Sequence, residues 1–134
     1  MYKKTMTYED YNGNSRTESF YFHLSKAELA EMELSKPGGF EAYLQKIIDT
    51  EDRETLIELF KGLILKSYGE KDETGKRFIK SEELSTAFAQ TNAYSDLFME
   101  LVTNTEAATA FVNGLVPEDI RKQAAETAKK QLEG

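Results

Sequence analysis

Apolar and polar positions alternate near the start of the chain, and the period then lengthens. Met6 and Tyr8 share one parity, and Phe20, Phe22 and Leu24 share it too. Alternation of this kind marks half-buried strands. Asn12-Gly13 lies between the two runs, and both residues tolerate the positive φ of a tight turn. Residues 2–24 are therefore predicted to form a β-hairpin. Keeping all the apolar side chains on one face requires even positions to oppose even positions, so the loop should be about three or five residues long. A lone hairpin is marginal in water, so this face is expected to pack on helices.

Helical spacing takes over next. Ser25-Lys26-Ala27-Glu28 is a capping box that opens a short helix from Lys26 to about Leu34, and Pro37-Gly38-Gly39 ends it. Phe40, Tyr43, Leu44, Ile47 and Ile48 form an apolar stripe; Leu56, Leu59, Phe60, Leu63, Ile64 and Tyr68 form another over residues 53–68. Gly69 stands where a C-terminal cap would fall. Ser81 is placed to cap a short helix bearing Leu84, Ala87 and Phe88. Tyr94, Leu97, Phe98, Leu101 and Val102 follow as a further stripe. Thr103-Asn104-Thr105-Glu106 reads as a second capping box, ahead of Ala107, Ala108, Phe111, Val112 and Leu115. Pro117 with Glu118 and Asp119 suits the first turn of a last helix, which has few large apolar residues and is expected to project or fray. The expected fold is mainly α with an N-terminal β-hairpin (α+β), the hairpin packed on a compact bundle of about five to seven helices. The expected organisation is a single globular domain over 1–117 (hairpin 2–24, helices 26–117) and a helical tail over 118–134.

One segment between helices resembles a calcium loop. In KDETGKRFIKSEEL, counted from Asp72, Thr74 falls third and Glu83 twelfth. The fifth and sixth places, which need an oxygen ligand and a glycine, hold Lys76 and Arg77. Two cations would point into a cation site. The segment is read instead as a turn at Glu73-Thr74-Gly75-Lys76, then a short extended piece over Arg77–Lys80 that adds to the hairpin as a small sheet.

Charge narrows the partners. The chain has 134 residues and a formal net charge of −7, with Lys and Arg spread out, so nucleic acid is a poor partner. Between Lys80 and Arg121 there is no basic residue, while Glu82, Glu83, Asp96, Glu100 and Glu106 fall in that interval. An acidic and apolar half suits a basic amphipathic partner as well as a solvated face. There are no cysteines, and no apolar run approaches the roughly 20 residues of a membrane span, so a cytoplasmic, membrane-free protein is expected. His23 is the single histidine and has no spaced catalytic partner. Gly38-Gly39 lacks the spacing and lysine of a phosphate loop. No catalytic residue, cofactor or metal site is expected; a binding protein is.

Longer stretches carry a family likeness. The order NGN-RTE-FYF-LSKAELAEME, then KSYGEKDETGKRFIKSEELSTAF, then AYSDLFMELVTNTEAATAFVNGLVP resembles the tail assembly chaperones of long-tailed (siphovirus-like) bacteriophages and prophages of Gram-positive bacteria, over about residues 5–120. The resemblance implies a non-enzymatic protein of the host cytoplasm, absent from the mature virion. It would bind the tape measure protein, a long and largely helical chain, keep it soluble and help the tail tube polymerise. It also implies that a frameshift-extended form recruits the tail tube protein, and that the chain forms a homo-oligomer. The contact surface is expected within Leu84–Leu115, with Phe88, Tyr94, Asp96, Phe98, Glu100 and Phe111 as its members. Taken one at a time, the same aromatic residues read first as core, because stripes at helical spacing usually face inward. A different class, a small acidic phage-encoded inhibitor or regulator of a host protein, also fits the composition.

Overall fold

The computed structural model describes residues 1–32, 42 and 53–117. The Pro37-Gly38-Gly39 break, the stripe from Phe40 to Ile48 and the segment after Pro117 lie outside the described residues. The elements run β1 (Tyr2–Glu9), β2 (Ser15–Phe22), α1 (Lys26–Glu31), α2 (Arg53–Ser67), β3 (Tyr68–Lys71), β4 (Phe78–Ile79), α3 (Glu82–Ala89), α4 (Asn92–Thr103) and α5 (Thr105–Leu115). The chain is thus an α+β protein. Its strands form one four-stranded antiparallel sheet in the order β1-β2-β3-β4; β4 falls within the expected Arg77–Lys80 piece and reaches the hairpin through β3.

The hairpin pairs even with even, from Tyr2↔Phe22 through Met6↔Glu18 to Glu9↔Ser15. Its turn is built by Asp10. The Asp10 N–H donates to the Asn14 carbonyl (2.8 Å), and the Gly13 N–H to the Asp10 carbonyl (3.1 Å). The Asp10 carboxylate accepts from the N–H groups of Asn12 and Asn14, both at 2.9 Å, and from Arg16 Nε at 2.6 Å. The Arg16 bond, followed by the Asn14 N–H, holds the Asp10 carboxyl below its usual range. Gly13 sits at φ 81, open to glycine at little cost.

The calcium-like segment repeats this device. Asp72 and Gly75 stand in the same relation as Asp10 and Gly13, with Gly75 at φ 75. The Gly75 N–H donates to the Asp72 carbonyl at 3.1 Å, and the Asp72 N–H to the Arg77 carbonyl at 3.0 Å. The Asp72 carboxylate accepts from the Thr74 hydroxyl (3.0 Å) and the Arg77 N–H (3.3 Å). It anchors a β3–β4 hairpin, registered by Glu70↔Ile79 and Lys71↔Phe78.

Two local expectations need correction. Gly69 is not a helix cap. It lies inside β3, where a Cβ would come within 2.7 Å of the Ile79 carbonyl oxygen, the Phe78 ring and the Lys80 side chain. The residue is required by the close approach of β4. The α5 cap is Asn104, whose side chain accepts from the Ala107 N–H (3.1 Å), and not Thr103. The Thr103 hydroxyl instead donates back to the Met99 carbonyl at 2.6 Å. The other caps fall as expected: Ser25 forms the full capping box with Glu28, and Ser81 accepts from the Leu84 N–H.

Phe22 is the centre of the core. Its side chain has 0% exposure, and its ring lies 5.4 Å from Phe111, 5.8 Å from both Phe88 and Tyr68, and 6.3 Å from Tyr2. Leu24, Leu29, Phe60, Ile64, Leu97 and Leu115 close the same cluster. Where β2 ends, the His23 N–H donates to the Ser67 carbonyl (2.9 Å) and the Leu24 N–H to the Leu115 carbonyl (2.9 Å). Those bonds seat the last turns of α2 and α5 against the strand's end.

Candidate functional site

The expected contact surface centres on α4, and helical geometry sorts its residues. Ala93, Leu97 and Leu101 recur every four positions and are buried. At roughly 100° per residue, Tyr94, Phe98 and Val102 form one half-buried shoulder, and Asn92, Asp96 and Glu100 form the opposite one. The first shoulder turns toward α3, with the Tyr94 ring 5.8 Å from Phe88 and 6.1 Å from Phe98. Burial pushes the Tyr94 hydroxyl pKa up.

The second shoulder runs along β1. Asn92 Nδ2 donates to the Glu9 carbonyl (2.8 Å), and Lys4 Nζ donates to Glu100 Oε1 (2.9 Å). Glu100 therefore serves partly to hold the helix on the hairpin, whereas Asp96, between the two anchors, is exposed. The apolar and acidic candidates on α4 thus lie on opposite sides of the helix.

Phe88 and Phe111 have a different place. Phe88 is 3% exposed and stacks on Tyr68 at 4.3 Å; Phe111 is 0% exposed and meets Tyr2 edge-on at 5.2 Å. Both are structural supports beneath the surface. Of the six expected residues, the structure leaves Tyr94, Asp96, Phe98 and Glu100 within reach of a partner.

Sequence reasoning passed over Met99, which is 54% exposed and lies off the apolar stripe. Being off the stripe was itself the signal, since a large apolar side chain there has no core to enter. It also passed over an open groove of about 450 Å³ on α3, lined by Glu82, Glu83, Thr86, Ala87 and Gln90. That groove gives α3 its acidic character, whereas Asp96 lies on the α4 shoulder that runs along β1. No Lys or Arg occurs in either helix.

A separate polar cluster joins β2 to β4. Lys80 Nζ donates to the His23 carbonyl at 3.0 Å and forms a tight ion pair with Glu28. His23 stands edge-on to Phe78, 6.2 Å away, and its Nδ1 is buried without a hydrogen-bond partner. Burial, then the N-terminal amine and Lys80, lowers the His23 pKa. This half-buried cluster ties the end of β2, α1 and the end of β4 together. Among the described residues, no group of three or more His, Cys, Asp or Glu side chains is placed to hold a metal ion. None of the described helices is long and apolar enough to cross a membrane.

What the architecture defines is a small α+β protein whose exposed features are an acidic helical surface and the tip of its β1–β2 hairpin. The family model of the phage tail assembly chaperones matches residues 1–133, and the chain belongs to that family. No curated protein and no solved structure matches it.

Proposed function

We propose that this chaperone binds the tape measure protein of a long-tailed phage or prophage of a Gram-positive host. It keeps that chain soluble in the host cytoplasm until tube subunits polymerise around it, and it stays out of the finished virion. Family membership over residues 1–133 carries the reading. The geometry agrees with it. A long helical chain awaiting its tube exposes amphipathic surface, and the α3–α4 surface offers such a chain half-buried Tyr94 and Phe98, exposed Met99 and an acidic groove. Rim carboxylates speed encounter more than they strengthen the complex, so the client is released when a tighter partner arrives. A form lengthened past residue 117 would recruit the tail tube protein.

Co-expression with the tape measure protein of the same genome tests the proposal, read as the soluble fraction of the tape measure chain. We expect rescue by the wild-type protein, and weaker rescue when Asp96→Lys is combined with Met99→Ser. Glu100→Lys is a poorer probe, because it also breaks the Lys4 bond. A tape measure chain that stays insoluble and forms no complex would refute the reading and favour a host protein as the target.

A further inference from the structure

The hairpin leaves one edge of the sheet open. β3 pairs with β2 only at Tyr21↔Gly69 and Phe22↔Tyr68, and from Glu70 onward it pairs with β4. The Tyr21↔Gly69 pairing and the His23 N–H bond to Ser67 show that odd-numbered residues of β2 direct their backbone groups away from β1. Ser15, Thr17 and Ser19 continue that row beyond the end of β3, and the strand is exposed from Ser15 to Ser19. A row of unpaired N–H and C=O groups is a template for another strand.

We propose that the occupant is β2 of a second copy of this chain, antiparallel and centred on Thr17. The segment Ser15-Arg16-Thr17-Glu18-Ser19 is self-complementary about its midpoint. With Thr17 facing the partner's Thr17, Arg16 faces the partner's Glu18 and Glu18 faces the partner's Arg16. Only outward-directed residues can form the ladder, so competing registers differ by two positions. The nearest ones set Arg16 on Arg16 or Glu18 on Glu18, and like charges directly opposite destabilise a pair.

The solvent face carries the same symmetry. Thr7 and Thr17 share a hydroxyl hydrogen bond at 2.9 Å, and Thr5 and Ser19 share one at 2.8 Å. The new pairing extends the first into a row of four threonines across four strands. It also brings the partner's Asn14 opposite Phe20, the last open position before Tyr21 pairs with Gly69. There a groove of about 360 Å³ opens between Glu18–Tyr21 of β2 and Tyr68–Lys71 of β3.

The other edges are less suited. The Glu9 carbonyl on the outer edge of β1 is occupied by Asn92, and β4 is only two residues long. This inference is independent of which client the chaperone binds.

The chain has no cysteine, so single substitutions report the register cleanly. Under mild oxidation, Thr17→Cys is expected to give a covalent dimer, because facing Cα atoms lie about 5.5 Å apart. Ser15→Cys or Ser19→Cys alone should not, since each would sit about 13 Å from its own copy. A mixture of those two variants should cross-link. In sedimentation, the wild-type chain should dimerise reversibly. Thr17→Pro, which removes an outward N–H and no β1–β2 bond, should weaken the dimer about tenfold or more. A wild-type chain that stays monomeric, a Thr17→Pro chain that folds and dimerises normally, or Ser15→Cys and Ser19→Cys chains that cross-link alone as readily as Thr17→Cys would each overturn the proposal. Should Thr17→Pro fail to fold, the cysteine set decides.

Discussion

At the root of the β1–β2 hairpin, Tyr2 and Phe22 enter an aromatic cluster with Tyr68, Phe88 and Phe111. At the tip, beyond Met6 and Glu18, little is buried, and the strands are held by the Thr7–Thr17 hydroxyl pair, the Tyr8–Glu18 hydrogen bond, the Asp10–Arg16 pair and the Asn92 bond to the Glu9 carbonyl. One continuous ladder therefore spans two energetic regimes. The root draws its stability from burial shared with helices far away in sequence. The tip holds its shape mostly through contacts within the hairpin, with the Asn92–Glu9 bond as its tie to α4. Substitutions at the root should lower global stability, whereas those at the tip should loosen the arm and leave the body folded.

The largest effect is expected for Phe22→Ala. Removing the ring at the centre of the core should cost about 3–5 kcal/mol in denaturant unfolding. Gly69→Ala comes next at about 1–3 kcal/mol, because the new Cβ meets the Ile79 backbone oxygen at 2.7 Å and a backbone does not easily give way. Gly13→Ala places a side chain at φ 81 and should cost about 1 kcal/mol, seen chiefly as faster amide exchange in the arm. A tip substitution that unfolds the body as readily as Phe22→Ala would erase the distinction between the two ends.

The smallest expected effect depends on pH and lies at the boundary between strand and helices. His23 is held neutral in the folded state, its pKa lowered first by burial, while the unfolded chain takes up a proton near the ordinary value of 6.5. Its contribution is fully present above that pH and is lost as pH falls through the lower, folded-state value. Thermal unfolding followed from pH 7.5 downward should show this decline, and His23→Gln should flatten it above the carboxylate range. A decline equally steep in the variant would assign the effect to other groups.

The root and the tip also differed in how well the sequence revealed them. The even-to-even register was legible, because a single face of apolar side chains admits no other parity. Ser25 and Ser81 were legible as caps, because each precedes an apolar periodic run. β3 was not: Tyr68-Gly69-Glu70-Lys71 continues a helical stripe into a glycine, and its strand character comes only from partners at Tyr21 and Phe78. The Thr103 misreading arose because two overlapping segments can both cap a helix, and the backbone selects Asn104. Among the site candidates, periodicity could not separate the buried Phe88 and Phe111 from the reachable Tyr94 and Phe98. That distinction required the sheet, which covers the first pair. Nor could it separate Glu100 from Asp96, since the difference is a lysine at position 4.

The hydrogen bond from the Leu24 N–H to the Leu115 carbonyl ties the end of α5 to the residues just after β2. Leu115 and Val116 are buried there, so α5 ends on a firm anchor beside the start of α1. A partner module fused to this anchor through a flexible linker would be a tethered guest. Its local concentration at the chaperone surface is set by tether length, growing in reach as roughly 5–6 Å times the square root of the residue number for a flexible tether. Extending such a tether alters how far the guest travels and leaves the body that holds it unchanged.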